Sequence, residues 1–136
     1  MPSDQQPLFH IVDLNYISLY ISDFHQAIVF YTRVFGEPAS IDKNKTTYGW
    51  KMGATWLTIF DGKKAGLQAG NPSNTEFAIQ VSAPNEVDHL YQALLEAGAK
   101  PCMPPEDTAM YQPMRFGCVD DPFGVRIDVY YPLKST

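Results

Sequence analysis

The chain has 136 residues, 45% of them hydrophobic, which is enough to bury the core of one compact domain and too few for two independent ones. The 10 Lys and Arg against 15 Asp and Glu give a net charge of -5 without a basic block, which excludes the electrostatic footprint of a nucleic-acid binder. No apolar run approaches the roughly 18 residues of a membrane span, and Met1-Pro2-Ser3-Asp4-Gln5-Gln6 lacks the regions of a signal peptide, so a soluble cytoplasmic protein is expected.

Residues 1 to about 13 show no period and read as a loose arm, with His10 incidental. From Leu14 the pattern sharpens. Ile17, Leu19 and Ile21 alternate with Tyr16, Ser18 and Tyr20, a strand with one aliphatic face and one hydroxyl-bearing face. Ser22 or Asp23 is positioned to cap the following helix, with Gln26 completing a capping box. Phe24, Ala27, Ile28, Tyr31, Val34 and Phe35 form its apolar stripe, and Gly36 ends it.

Three strands are predicted next: a short one near Ala39 to Asp42, a second through Tyr48 to Met52, and a third from Thr55 to Phe60. In the third, Leu57 and Ile59 share one face and Trp56, Thr58 and Phe60 the other. The Gly-, Asn- and Ser-rich stretch 61–74 reads as a linker.

The order then repeats. Phe77, Ile79 and Val81 alternate with Glu76, Ala78 and Gln80; Pro84 or Asn85 opens a helix with Val87, Leu90, Tyr91, Leu94 and Ala97 on its buried stripe; Gly98 closes it. A short strand at Lys100 to Met103, a proline-rich loop from Pro104 to Pro113 and a strand from Met114 to Val119 lead to Asp120-Asp121-Pro122-Phe123-Gly124. Pro122 and Gly124 mark that segment as a tight turn. In the last strand Val125, Ile127, Val129 and Tyr131 alternate with Arg126, Asp128 and Tyr130.

The chain is therefore expected to be α+β: two β-α-β-β-β modules, about 14–60 and 75–131, whose mixed sheets curl around a concave cup. The less aliphatic strand faces carry the candidate lining. Arg126 can pair there with Glu76 or Asp128 and neutralise a carboxylate without a metal. Cys102 and Cys118 make no disulfide framework and no Cys-x-x-Cys pair, and read as small core or strand residues. His25 and His89 lie off the helical stripes and read as solvated; no histidine pair stands at ligand spacing.

Leu19-Tyr20-Ile21-Ser22-Asp23 with Ala27, Phe30-Tyr31 and Phe35-Gly36, together with Asp121-Pro122-Phe123-Gly124-Val125-Arg126-Ile127-Asp128, resembles the opening and closing motifs of the vicinal oxygen chelate superfamily. That superfamily comprises glyoxalase, bleomycin-resistance and extradiol dioxygenase proteins. The resemblance covers nearly the whole chain and implies the curved two-module fold, with pairing of modules within one chain or across a homodimer. Enzymes of the superfamily hold a divalent metal at positions that correspond here to Tyr16, Thr58, Glu76 and Asp128.

This chain departs from that pattern, with a phenol and a hydroxyl at two of the four positions and no imidazole. Such an oxygen set suits Mg, Ca or Mn better than Zn, Ni or Fe. Two functions follow from the resemblance. One is a metal-free protein that binds or sequesters a small organic molecule, cationic or amine-bearing, on Tyr16, Ser18, Tyr20, Trp50, Trp56, Gln80, Arg115, Arg126 and Tyr130. The other is a divalent-metal-dependent glyoxalase-like lyase or isomerase, or a dioxygenase, with Glu76 as ligand or base.

Overall fold

A computed structural model describes residues 8–64, 70–109 and 111–134. The first half contains β1 (Tyr16–Ile21), α1 (Phe24–Phe35), β2 (Ser40–Ile41), β3 (Thr47–Met52) and β4 (Thr55–Asp61). The second contains β5 (Thr75–Gln80), α2 (Pro84–Glu96), β6 (Lys100–Ala109), β7 (Pro113–Asp120) and β8 (Val125–Pro132). Each half is one β-α-β-β-β module, with sheet orders β1-β4-β3-β2 and β5-β8-β7-β6. In both, the first strand stands at one edge and runs parallel to the last strand beside it, and the other pairs are antiparallel. The crossover helix supplies that parallel connection.

Alternation decides which face each strand buries. Leu19, Ile21, Leu57 and Ile59 in the first sheet, and Val119, Val125, Ile127 and Val129 in the second, are buried toward the helices. Phe24, Ala27, Phe30 and Tyr31 cover the first sheet, and Val87, Tyr91 and Leu94 the second. One cluster of buried residues runs through both modules. Phe30 meets Phe123 edge-on, with ring centroids 6.0 Å apart. Phe30 lies outside the stripe read from the sequence; it is buried in the shared core, where it meets Phe123 of the other module.

The turn before β8 is fastened from inside. Asp121 Oδ1 accepts hydrogen bonds from the Phe123 and Val125 backbone N–H groups, both at 2.8 Å. Its Oδ2 accepts the Tyr31 hydroxyl of α1 at 2.6 Å. Burial holds the Asp121 carboxyl above its usual range, although these hydrogen bonds pull the other way. The same contact, with burial first, holds the Tyr31 phenol well above its ordinary value.

Two local expectations are corrected. α1 has no side-chain cap: the Asp23 carboxylate accepts a hydrogen bond from Asn71 Nδ2, and Asn71 Oδ1 accepts the Ser22 and Asp23 backbone N–H groups. The linker's far end thereby clips the start of α1, while residues 65–69 lie outside the described residues, as do residues 1–7 of the arm. The proline-rich stretch is mostly strand. β6 runs to Ala109 because it is an edge strand, where Pro101, Pro104 and Pro105 need no ladder partner on their outer side, and it tolerates two register shifts.

Candidate functional site

On the face of the second sheet away from the helices stand Glu76, Ala78 and Gln80 of β5, with Arg126, Asp128 and Tyr130 of β8 in register beside them. β7 adds Phe116 opposite Tyr130 and Cys118 opposite Asp128. A cavity of about 430 Å³ opens here, lined by Glu76, Ala78, Tyr111, Gln112, Met114, Phe116, Asp128 and Tyr130. Aromatic and thioether walls surround a pair of carboxylates.

Asp128 is the chemical centre of this cavity. Its Oδ1 is buried without a hydrogen-bond partner among the described residues. Burial first, then the Glu76 carboxylate, push its pKa up to about 7, against a smaller opposing pull from Arg126. An acceptor stripped of water and of protein donors is costly. The group is therefore poised to take a proton or a donor from a bound molecule.

Arg126 does not neutralise either carboxylate by contact. Its guanidinium pairs with Asp120, Nε to Oδ1 at 2.8 Å and Nη2 to Oδ2 at 3.1 Å, because Asp120 is its direct cross-strand neighbour on β7. Tyr130 donates its hydroxyl to Gln80 Oε1 at 3.3 Å, so two expected lining residues meet.

The matching face of the first sheet is also aromatic. Tyr16 and Trp56 stack with centroids 6.4 Å apart, Tyr20 and Phe60 meet edge-on at 4.8 Å, and Ser18 and Thr58 share a 2.7 Å hydrogen bond between them. Lys51 Nζ sits 5.4 Å from the Trp56 ring centroid, so the chain supplies its own cation to that ring. Trp56 and Gln80 line a separate cleft of about 440 Å³ between the modules, together with Ile17, Leu57, Phe77 and Ile79.

Two expected lining residues lie elsewhere. Trp50 is on the helix-facing side of β3, 3% exposed, and donates Nε1–H to the Gly36 carbonyl at 2.8 Å. Its neighbour in alternation, not Trp50 itself, points to the cup side. Arg115 is likewise on the helix side of β7, held by Asp88 of α2 through Nε at 2.8 Å and by Asp107 of β6 through Nη1 at 2.9 Å. Met114, Phe116 and Tyr111 were missed as lining; the alternation of β7 already marks the first two as sharing a face. His25 and His89 are exposed on their helices, as expected.

The sequence profile of the Glyoxalase/Bleomycin resistance protein/Dioxygenase superfamily matches residues 13–129. The chain belongs to this superfamily. Among solved structures, it is similar to a glyoxalase-related enzyme from Fulvimarina pelagi (24% identity, 89% of this chain and 88% of that one, TM-score 0.70). It is also similar to a glyoxalase/bleomycin resistance protein/dioxygenase from Nocardioides (19%, 94% and 88%, TM-score 0.73). A lactoylglutathione lyase from Agrobacterium tumefaciens matches at 17% identity over 90% and 95%, TM-score 0.66. At these identities the likeness establishes the fold. No curated protein matches the chain.

The superfamily's metal positions do not assemble a ligand shell within this chain. Tyr16 and Thr58 are on one sheet and Glu76 and Asp128 on the other. The Thr58 hydroxyl is committed to Ser18 and to the Ile17 carbonyl, and the Tyr16 side stands 62% exposed. Among the described residues there is no group of three or more His, Cys, Asp or Glu suited to a metal. Two carboxylates alone fall short of the six to eight oxygen ligands a calcium ion takes. No helix among the described residues is long and apolar enough to cross a membrane.

Proposed function

We propose that this protein binds a small, amine-bearing organic molecule in the cup of its second module, without a metal. The observation that carries this reading is the buried, unpartnered Asp128 Oδ1 beside Glu76, set among Phe116, Tyr130 and Met114. A protonated amine offers what that oxygen lacks, a donor with a positive charge, while the ring faces favour the same cation. The cavity's volume falls in the range of small-molecule sites. Glu76, more exposed than Asp128, supplies the second negative charge at the mouth.

The superfamily's habit of pairing modules across two chains supports a homodimer for this protein as well. In such a pair Tyr16 and Thr58 of one copy would face Glu76 and Asp128 of the other, adding the Tyr16 phenol and its ring to the cup.

The test is a thermal-shift series with organic amines, their neutral isosteres and Mn, Mg, Ni and Zn, run on wild type and on Asp128→Asn. Amines are expected to raise the melting temperature of wild type at pH 8 by several degrees at saturating concentration, with most of the shift lost in the variant. Stoichiometric metal held through Glu76 and Asp128 would replace this reading with the lyase, isomerase or dioxygenase alternative. Equal shifts for amines and neutral isosteres would place the ligand's recognition away from the carboxylates.

A further inference from the structure

Cys102 and Cys118 are far apart in sequence, but the sheet brings them together. Pro101 pairs with Val119 and Met103 with Cys118, so Cys102 is the extra residue of a bulge on β6 and stands across the ladder from Cys118. Both side chains belong to one small apolar cluster with Met114, Phe116 and Tyr130, on the wall of the cup. Cys102 packs against Cys118 in that cluster and its thiol is a hydrogen-bond partner of the Cys118 thiol, so the two sulfurs already meet across the ladder. Both thiols are free, Cys118 buried and Cys102 half-buried.

We propose that Cys102 and Cys118 form an oxidisable dithiol in the cup wall, which a low-molecular-weight disulfide converts to a cross-strand disulfide. Access assigns the order of events. The Cys102 thiolate attacks one sulfur of the small disulfide and expels one small thiolate, which takes up a proton. The Cys118 thiol then loses its proton to solvent, and its sulfur attacks Cys102 Sγ in the mixed disulfide, expelling the second small thiol. Two protein thiols are oxidised by two electrons and one small disulfide is reduced to two thiols. Burial first, then the adjacent Cys102 thiol, push the Cys118 pKa up to about 12, which makes Cys118 a poor first nucleophile.

The bond would change the strand that needs most support. β6 is an edge strand with three prolines and two register shifts, and it leads toward Tyr111 and Gln112 on the cavity rim. Cys118 is also the cross-strand partner of Asp128. Oxidation therefore pins the rim strand to the floor of the cup beside that carboxylate. The effect on ligand binding rests on the proposed function; formation of the disulfide does not.

The experiment incubates the reduced, full-length protein with excess glutathione disulfide, then alkylates it under denaturing conditions and measures its mass. Wild type is expected to lose two hydrogens, to carry no alkyl groups, to melt roughly 5 °C or more higher, and to revert with dithiothreitol. Cys102→Ser, at the half-buried position that the fold tolerates better, is expected to leave Cys118 without glutathione, so that it takes up one alkyl group. A stable glutathione adduct on Cys102 with Cys118 still alkylated, two unreacted thiols, or a disulfide between chains would each overturn the proposal. Because mass alone reads the bond, a protein that forms it but shows no amine shift would refute the ligand reading and leave the dithiol standing.

Discussion

Asp128 carries an electrostatic penalty that pH can reveal. Its folded pKa of about 7 lies above the ordinary carboxylate value near 4. Between those two values the unfolded chain has already released the proton that the folded chain keeps. This group's contribution to stability is therefore greatest below about pH 4 and declines as pH rises to about 7. Asp42, Glu86, Asp88 and Asp120 have lowered pKa values and act in the opposite sense, so total stability would mask the effect. The difference between wild type and Asp128→Asn isolates it. The variant is expected to be more stable than wild type at pH 8 by about 1 kcal/mol, after allowing for solvent screening of a half-exposed group, and to lose that advantage by pH 4. Melting temperatures of the pair across pH 4–8 check this; a constant difference would mean that Asp128 titrates normally. Alternation along β8 made the face of Asp128 legible in the sequence. Its environment was not, because Glu76 and Cys118 reach it across ladders whose register depends on distant turns. The two tryptophans show the same limit: the period placed Trp56 correctly, whereas Trp50 was assigned by ring chemistry and lies on the other face.

At the scale of elements, the β7–β8 turn is the most constrained feature. Gly124 has φ of +96°, and a Cβ there would lie 2.0 Å from the Pro72 carbonyl oxygen, where the incoming chain to β5 crosses. The backbone conformation alone costs a side-chain-bearing residue about 1–3 kcal/mol, and the overlap with backbone adds to it. Gly124→Ala is expected to lower the urea midpoint by at least that equivalent at unchanged slope. Gly53→Ala, with positive φ but open space around it, provides the control that separates the two effects: it should cost only the conformational part. The turn was legible because proline and glycine impose backbone geometry locally. The Asp121 carboxylate that bonds the turn from within was not singled out, since its second partner, Tyr31, comes from the other module. β6 was misread for a related reason: proline argues against a strand unless the strand is at an edge, and strand order is a property of the whole sheet.

The repeat of strand, helix and glycine made the two modules legible, but not how they adhere. What joins them is the Tyr31–Asp121 hydrogen bond, the Phe30–Phe123 contact and a buried cluster that includes residues of both sheets and both helices. The larger buried core is shared by both modules, which argues that the two unfold as one unit. The tryptophans provide a direct probe, because Trp50 and Trp56 both lie in the first module. Leu94, fully buried on α2 in the second, can be truncated without touching either. Leu94→Ala is expected to cost about 2–5 kcal/mol through lost burial and the cavity left behind. If the shared core couples the modules, tryptophan fluorescence and far-ultraviolet circular dichroism will report the same lowered midpoint, with superimposable curves. If the fluorescence transition stays at its wild-type position while the dichroism splits into two, the modules are independent and the contacts between α1 and the β7–β8 turn only hold them side by side.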